Sequence, residues 1–350
     1  MSTVSPFLLS TVGVETSQAE LFMRGVASAV RSDGSLSPTQ TSVLTAVGRY
    51  VLGVDVAIAD LEPLRPAQLA DALPDAQLRV RAVHAMIALE TVAMPVDPRV
   101  AARVEEYAAA MGVDDGMLAV ARDYSRRAMD VAIGDLARNG YPSVYARRHG
   151  GEVTLHETVL PTSPIDAPLD PGLAATWRHL ETCPAGSLGR SVWDFYQYRG
   201  FSLPGTPGAV APLLAQHDFV HCLADYGTSA LGEIEVFTFI ATAIPDPHAF
   251  FYLVLIVGLF ETGAVQAVPG VATANPGHLS SPGGPTRFAD AVRRGLAVHT
   301  DVIGGVDWFD FADRPLDDVR RHFGVPPKSP DAVAAGSRSA ADPRAVFGAD

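Results

Sequence analysis

The chain has 350 residues, of which 48% are hydrophobic, and its formal net charge at neutral pH is −13. This acidic balance, without a run of Lys and Arg, excludes a nucleic-acid partner and argues against polybasic attachment to anionic lipid. The two cysteines are too few for a disulfide framework and favour the cytoplasm as the location. The N-terminal stretch lacks a basic region and is not predicted to be a signal peptide.

The first third of the chain predicts an internal duplication of a helix–loop–helix unit. Ser37 is the expected N-cap of one helix, with Pro at the first helical position, and Asp97 repeats this start further along. Gly53 and Gly112 follow the two helices, and an apolar helix precedes each copy. The repeat predicts a helical module built from two similar units.

This module resembles the tellurite-resistance TerB-like helical domain over residues 19–135. The resemblance rests on the repeat itself and on a Ser-Asp-Gly turn that contains Asp33, placed before a capped helix. It implies that acidic residues near such turns bind a divalent ion. The second copy has Ala93 and Met94 at the matching positions, so an ordinary turn is the favoured interpretation of Asp33.

The chain is predicted to contain two helical domains, a linker and a tail. Because both domains are predicted to be helical, the expected fold is all-α. The first domain covers residues 1–138 and the second covers residues 172–327. Residues 139–171 are rich in Pro, Gly and charge and are predicted to be a linker with a short strand at residues 152–155. Residues 328–350 are mostly Ala, Asp, Ser and Pro, which predicts a disordered tail.

The strongest chemical signal is the group His217, Asp218, His221 and Glu233. Two histidines four residues apart lie on one face of a helix, which suits two imidazoles binding one divalent ion. Glu233 is expected to begin a second helix after a glycine-bracketed turn and to close the site. Asp218 either binds the ion or orients a ligand histidine. Ordinary helix residues are the alternative interpretation of an isolated pair of histidines with this spacing.

The same residues match the signature of the coenzyme Q (ubiquinone) biosynthesis family Coq-four, which is HDxxH and then, after eleven intervening residues, Glu. Two further blocks resemble that family: residues 183–202, read as CPAGSLGRSVWDFYQYRGFS, and residues 305–325, read as GVDWFDFADRPLDDVRRHFGV. The resemblance covers residues 154–327.

The Coq-four resemblance implies a metal-dependent lyase or oxidoreductase in ubiquinone biosynthesis or a secondary-metabolite pathway. Its expected reaction is decarboxylation or hydroxylation of the ring of a prenylated hydroxybenzoate-type compound. His217, His221 and Glu233 are the expected metal ligands, Asp218 is a further ligand or a base, and Asp218 and Glu233 are the expected catalytic pair. Zinc is the favoured ion, with iron or manganese as alternatives, and ring oxidation would require a redox-active ion such as iron.

A hydrophobic substrate could lie against residues 249–260, the most apolar run of the chain. This run is too short to cross a bilayer and is long enough for a buried helix. Plain core is one interpretation, and a wall for an apolar substrate or a surface that dips into a membrane is the other. In the substrate interpretation Phe250, Phe251 and Tyr252 bind the ring.

Two further features bear on substrate binding. Arg190, near a helix start, either binds an anionic group of the substrate or pairs with Asp194 one turn later. Residues 265–285 form an irregular loop that is either a lid over the site or an ordinary surface loop.

Other function classes stay open at this point. The chain has no P-loop, no dinucleotide-binding glycine motif after a strand, no nucleophile elbow and no C-x-x-C pair. A non-catalytic lipid-binding scaffold with a structural metal is one alternative to the enzyme, and a stress-associated metal-binding protein is another. A homodimer and a peripheral membrane contact are further expectations.

Overall fold

The computed structural model describes residues 16–148, 154–155, 158–159, 169–268 and 272–346. Over these ranges the chain is mostly helical, in agreement with the all-α prediction. In the first part the α-helices are α1 (Thr16–Val30), α2 (Pro38–Val47), α3 (Pro66–Ala72), α4 (Ala76–Thr91), α5 (Pro98–Met111), α6 (Gly116–Ser125), α7 (Met129–Asn139) and α8 (Tyr141–Arg148).

The second part continues with α-helices and short strands. The helices are α9 (Pro171–His179), α10 (Leu188–Arg199), α11 (Pro212–Ala224), α12 (Ala230–Ala243), α13 (Phe250–Val257), α14 (Gly284–Val298), α15 (Leu316–His322) and α16 (Pro330–Ala334). Two antiparallel hairpins pair β1 (Thr154–Leu155) with β2 (Thr158–Val159) and β3 (Ala267–Val268) with β4 (Ala272–Thr273). Two π-helical turns continue α2 and α13, at Gly48–Leu52 and Gly258–Thr262.

The helix starts and stops of the duplicated unit are confirmed. The Ser37 hydroxyl accepts the Gln40 backbone N–H, and the Gln40 side chain accepts the Ser37 N–H in return. Asp97 caps α5 through its carboxylate, with Pro at the first helical position. Gly53 and Gly112 both end their helical segments with φ at 69°, in the left-handed region that favours glycine.

The acidic turn of the first copy pairs with an arginine of the second copy. Arg99 contacts Asp33 and Asp97 at 2.8 Å each, and the Ser32 hydroxyl donates to Asp97 at 2.7 Å. The Arg99 guanidinium, and next Ser32, hold the pKa of Asp97 below its ordinary range. Arg99 therefore supplies the positive charge at this turn, which supports the interpretation of Asp33 as part of an ordinary turn.

The predicted halves share one hydrophobic core that extends from Ala19 to Ala340. Helix α14 packs against α2 and its π turn, and the His84 ring of α4 stacks on Phe250 of α13 with 4.1 Å between ring centroids. The division of the chain into two domains, with the first covering residues 1–138, stays a prediction.

The predicted linker begins with an ordered helix, which corrects its boundary. Helix α8 lies inside residues 139–171 and is docked on the second half of the chain. The Tyr141 hydroxyl donates to Asp301 at 2.6 Å, and the Tyr145 hydroxyl donates to the Gly304 carbonyl at 2.9 Å. Of the predicted strand, residues 154–155 are β1, and residues 152–153 lie outside the described residues.

The prediction of a disordered tail is wrong for residues 328–346. Ala345 is buried, and its carbonyl accepts the Thr228 N–H at 2.8 Å, while the Ser339 hydroxyl donates to Asp225 at 2.6 Å. A Cβ atom on Gly227 would lie 2.3 Å from Cβ of Ala345. Small residues in this segment suggested disorder. In the structure their size is what allows the segment to approach another part of the backbone this closely. Residues 347–350 lie outside the described residues.

The apolar run at residues 249–260 forms part of the core and also borders a cavity. Its side chains are buried except those of Phe251 and Leu255, which are half-buried. Among the described residues, no helix is long and apolar enough to cross a membrane.

Glu90 is a buried acid in the core of the first part. It is 2% exposed, and its Oε2 has no hydrogen-bond partner among the described residues. Burial, and next the Glu105 carboxylate, raise the pKa of Glu90 to about 8 from an ordinary value of 4.5. The folded chain therefore keeps a proton on Glu90 at neutral pH that the unfolded chain has lost.

This difference predicts a pH-dependent stability. Because the folded state binds more protons in this window, the free energy of unfolding should fall as pH rises from about 5 to about 8, by at most about 1.4 kcal/mol per unit from Glu90. Glu90→Gln should remove this part of the slope, as measured by urea unfolding across the window. Glu106→Gln, at an exposed position of the neighbouring helix, is the control. Parallel profiles for Glu90→Gln and the wild type would contradict the prediction.

Candidate metal site

Helix α11 carries three of the four predicted metal residues, and its C-terminal end is fixed by arginines. Arg320 donates to the Cys222 and Leu223 carbonyls at 3.0 and 2.9 Å, and Arg294 donates to the Ala224 carbonyl at 2.8 Å. These carbonyls lack partners within the helix, so two cations satisfy the negative end of its dipole. The end of the helix that carries His221 is thereby held in place.

Helix α12 brings Glu233 against α11. Ser229 is its N-cap and accepts the Gly232 N–H at 3.2 Å. A Cβ atom on Gly232 would lie 2.1 Å from the Gly227 carbonyl oxygen, so the turn closes only with glycine at this position. The predicted second helix, with Glu233 in its first turn, is confirmed.

The structure brings the four predicted metal residues together. Nε2 of His217 lies 3.5 Å from Oδ1 of Asp218 and 4.0 Å from Oε2 of Glu233. Nε2 of His221 lies 3.4 Å from Oε1 of Glu233. One ligand atom from each of His217, Asp218 and His221 lies within 4.8 Å of the others, so this group could hold a metal ion.

The outer nitrogens of both imidazoles are fixed by backbone carbonyls. Nδ1 of His221 lies 2.9 Å from the Tyr226 carbonyl oxygen, and Nδ1 of His217 contacts the Leu214 carbonyl oxygen. A carbonyl only accepts, so each Nδ1 carries a proton and each Nε2 is left to face the carboxylates. Nε2 of His221 is buried and has no hydrogen-bond partner among the described residues.

Burial and charge act against each other at this cluster. Burial alone would lower the pKa of His221, but Glu233, Asp218 and the Tyr226 backbone together outweigh it and raise that pKa. Burial alone would raise the pKa of Glu233, but His221 and then His217 lower it. The cluster therefore favours a positive charge beside Glu233, and either a proton on His221 or a divalent ion supplies it. Two imidazole nitrogens and two carboxylates are a donor set that fits such an ion.

Tyr196 belongs to the site and was not predicted from the sequence. Its hydroxyl donates to Oδ2 of Asp218 at 2.6 Å, and both side chains are buried. Burial, and next the Asp218 charge, raise the pKa of Tyr196 well above its ordinary value, so it remains a donor. No spacing rule in the sequence singles out Tyr196, and the one signal that covers it is the resemblance of residues 183–202 to a Coq-four block.

A cavity of about 730 Å³, the metal-site cavity, opens beside the cluster. Its polar wall contains Tyr196, His217, Asp218, Thr228 and Glu233. Most of the remaining lining is apolar. Helices α12 and α13 and the π turn that follows α13 contribute Phe237, Phe251, Tyr252, Leu255, Ile256, Leu259 and Phe260 to it.

The predicted substrate residues divide between two places. Phe251 and Tyr252 line the metal-site cavity. Phe250 instead lines a separate cavity between the two halves of the chain, the junction cavity, together with residues such as Leu44 and Leu296. This corrects its assignment to the metal site, because adjacent helical residues point about 100° apart.

Arg190 also lies outside the lining of the metal-site cavity. Its Nε donates to Oδ1 of Asp194 at 2.9 Å, which is the alternative that the sequence left open. The predicted lid loop does border the cavity, since Val268 of β3 and Ala272 of β4 belong to its lining. Closure of the loop stays a prediction, and residues 269–271 lie outside the described residues.

No family model, curated protein or solved structure matches the chain. The likeness to the Coq-four family therefore rests on the signature and the two blocks quoted from the sequence.

We expect the purified protein to bind one divalent ion per chain at this cluster. His221→Ala should weaken zinc binding by more than about tenfold, because it removes a ligand and leaves Glu233 without its nearest imidazole. Calorimetric titration of the metal-free protein with zinc, iron(II) or manganese(II) measures this affinity. His322→Ala, at an exposed histidine, is the control. Unchanged zinc affinity in His221→Ala would refute the site.

Tyr196→Phe tests the orientation of Asp218. The ring can keep its packing against Trp177, whose centroid lies 5.3 Å away, while the hydrogen bond to Asp218 is lost. We expect zinc affinity to fall about tenfold, as is typical when an outer partner of a ligand is removed. Tyr124→Phe is the matched control, because the buried Tyr124 hydroxyl has no hydrogen-bond partner among the described residues. Equal zinc affinities in the two variants would count against a role for Tyr196.

Proposed function

We propose that the chain is a metal-dependent enzyme that decarboxylates or hydroxylates the ring of a hydrophobic, quinone-like or prenylated aromatic compound. One observation carries this proposal. His217, Asp218 and Glu233 meet in the wall of a cavity of about 730 Å³ whose remaining lining is mostly apolar. Sites for small molecules combine these features, a mostly apolar concave surface and a few convergent polar groups.

The lining suits a planar ring with an apolar tail. The Phe237 ring stacks against both His217 and Tyr252, with centroid distances of 5.1 and 5.8 Å. The aliphatic residues Leu255 and Ile256 extend this surface along α13. Each buried methylene of a tail contributes about 0.8 kcal/mol to binding. A carboxylate or phenolate on the ring would then face the polar wall.

A divalent ion held by His217, His221 and Glu233 would supply a positive charge that stabilises a ring carboxylate or phenolate. The chain itself supplies the group that moves a proton. In a decarboxylation the bond between the ring carbon and the carboxyl carbon breaks, carbon dioxide leaves, and the ring carbon takes up a proton. Asp218 lines the cavity and can carry that proton on Oδ1, while Tyr196 holds Oδ2 by its hydrogen bond.

Two variants separate binding from turnover. Asp218→Asn keeps the shape of the side chain but cannot deliver a proton, so turnover should fall at least about 100-fold with substrate affinity nearly unchanged. Leu255→Trp should block the apolar lining and weaken substrate binding, while zinc affinity stays at the wild-type level. The test compound for both variants is a 4-hydroxybenzoate that carries a prenyl chain. Binding is measured by calorimetry and product by mass spectrometry, with zinc-, iron- and manganese-loaded protein.

The outcomes distinguish the proposal from its alternatives. Full activity of Asp218→Asn would remove the acid–base role of this residue. Binding of the prenylated compound without turnover under any of the three metals would favour a lipid-binding scaffold. Metal binding without any affinity for the compound would overturn the enzyme proposal and favour a metal-binding protein.

A further inference from the structure

The loop between α11 and α12, residues 225–229, is hydrogen-bonded to the C-terminal segment, residues 338–345. Thr228 donates to the Ala345 carbonyl through its backbone N–H at 2.8 Å and through its hydroxyl at 3.1 Å. The Gly227 N–H donates to another carbonyl of the same segment at 3.2 Å. Three donors of the loop are therefore satisfied by a segment that is distant in sequence.

Asp225 begins this loop in a strained conformation. Its φ of 63° and ψ of 44° lie in the left-handed region, which residues other than glycine adopt uncommonly. The Asp225 carboxylate accepts the Ser339 hydroxyl at 2.6 Å and the Ala340 N–H at 3.2 Å. A strained backbone persists where the surrounding structure fixes it. The C-terminal segment supplies part of that constraint, so its release would let the loop relax.

The residue after Asp225 orients one of the predicted metal ligands. The Tyr226 carbonyl oxygen lies 2.9 Å from Nδ1 of His221. This contact fixes the ring in the tautomer whose Nε2 can bind an ion. A change of backbone conformation at Asp225 would move the carbonyl away from the imidazole. The orientation of His221 therefore depends on how the loop is held.

Arg199, at the end of α10, connects the C-terminal segment to the ring of His221. Its Nε donates to the Thr228 hydroxyl at 3.0 Å, and a terminal nitrogen donates to the Ala345 carbonyl at 3.4 Å. The guanidinium carbon lies 3.9 Å from the centroid of the Phe195 ring, in a cation–π contact. The centroids of the Phe195 and His221 rings are 5.3 Å apart. One arginine therefore links the loop, the segment and an aromatic ring that packs on the imidazole.

Arg199 also contributes positive charge to the metal cluster. Against the effect of burial, His221 and then His217 lower the pKa of Glu233, and the Arg199 guanidinium adds to their effect. Arg199 lies outside the described lining of the metal-site cavity. Its effect on the cluster is therefore exerted through other residues and through its charge.

We propose that Arg199 is a positioning residue of the metal site and that it couples docking of the C-terminal segment to metal binding. This inference rests on the proposed metal-binding function. The docked segment holds the Tyr226 carbonyl and the Phe195 ring against His221, and the undocked segment does not. Because such coupling is reciprocal, metal binding should favour the docked segment by the same factor by which docking raises metal affinity.

Zinc titration of the metal-free, full-length protein by calorimetry measures the effect on affinity. Arg199→Gln should weaken zinc binding about tenfold, as is typical when an outer partner of a ligand is removed. Ala345→Leu should have a similar effect, because a larger side chain does not fit against Gly227 and displaces the segment. Arg178→Gln and Ala341→Leu, the same changes at exposed positions, are the matched controls.

The double variant separates coupling from two unrelated effects. Arg199→Gln and Ala345→Leu disrupt one connected set of contacts, so the double variant should bind zinc nearly as well as the weaker single variant. Independent effects would instead multiply to a loss of about a hundredfold. Ser339→Ala, which removes a hydrogen bond to Asp225, replaces Ala345→Leu if that variant does not fold.

Two further measurements do not depend on activity. NMR of the ring nitrogens at alkaline pH, without metal, should show the proton of His221 on Nδ1 in the wild type. Arg199→Gln should show a mixture of this form with the tautomer protonated on Nε2. Hydrogen exchange of the Ala340 amide, which donates to Asp225, should slow about tenfold when zinc saturates the wild type. Zinc should slow this exchange less in Arg199→Gln.

Three results would overturn the proposal: unchanged zinc affinity in Arg199→Gln, multiplied losses in the double variant, or the same His221 tautomer in Arg199→Gln and the wild type. A wild-type protein that does not bind zinc would refute the metal site instead. The change of tautomer in the metal-free protein would then still support the role of Arg199 in orienting His221, so the two failures are distinguishable.

Discussion

One buried and one half-buried imidazole lie with two buried carboxylates between mostly apolar helices, and the second half of the chain is arranged around this constraint. His221 is fully buried, and Asp218 and Glu233 are 4% and 6% exposed. An isolated charge in such surroundings costs several kcal/mol, so each group needs a compensating partner. The imidazoles face the carboxylates, Tyr196 donates to Asp218, and backbone carbonyls accept the outer imidazole protons. Removing one member leaves another without compensation.

C-terminal segments that are distant from the cluster in sequence hold its two helices at their ends. Arg294 and Arg320 satisfy the last carbonyls of α11, and the Ala345 carbonyl receives the Thr228 N–H from the loop that leads into α12. That same loop provides the Tyr226 carbonyl that orients His221. The C-terminal segment is ordered because it completes this loop, although its composition is that of a flexible tail.

The sequence predicts what depends on local geometry and misses what depends on tertiary contacts. Histidines four residues apart share a helix face wherever the helix lies, so the pairing of His217 and His221 could be predicted. Tyr196 meets Asp218 across two helices, and no spacing rule indicates that contact. Phe250 and Phe251 are adjacent residues of the same type, yet they point in different directions from the helix axis and line different cavities. Ala345 was predicted to be disordered and is buried. A small residue does not indicate a core in the sequence, yet it fits against Gly227 where a larger residue could not.

Helix α13 forms a wall of both cavities, so substitutions within it and insertions or deletions before it affect the cavities differently. Substitutions along α13 alter one cavity at a time, since Leu253 and Leu255 contact different spaces. An insertion or deletion of one residue between Ala243 and Phe250 that is carried into α13 would rotate the helix by about 100° and change which side chains face each cavity. The length of this connection therefore helps to decide which side chains of α13 face each cavity.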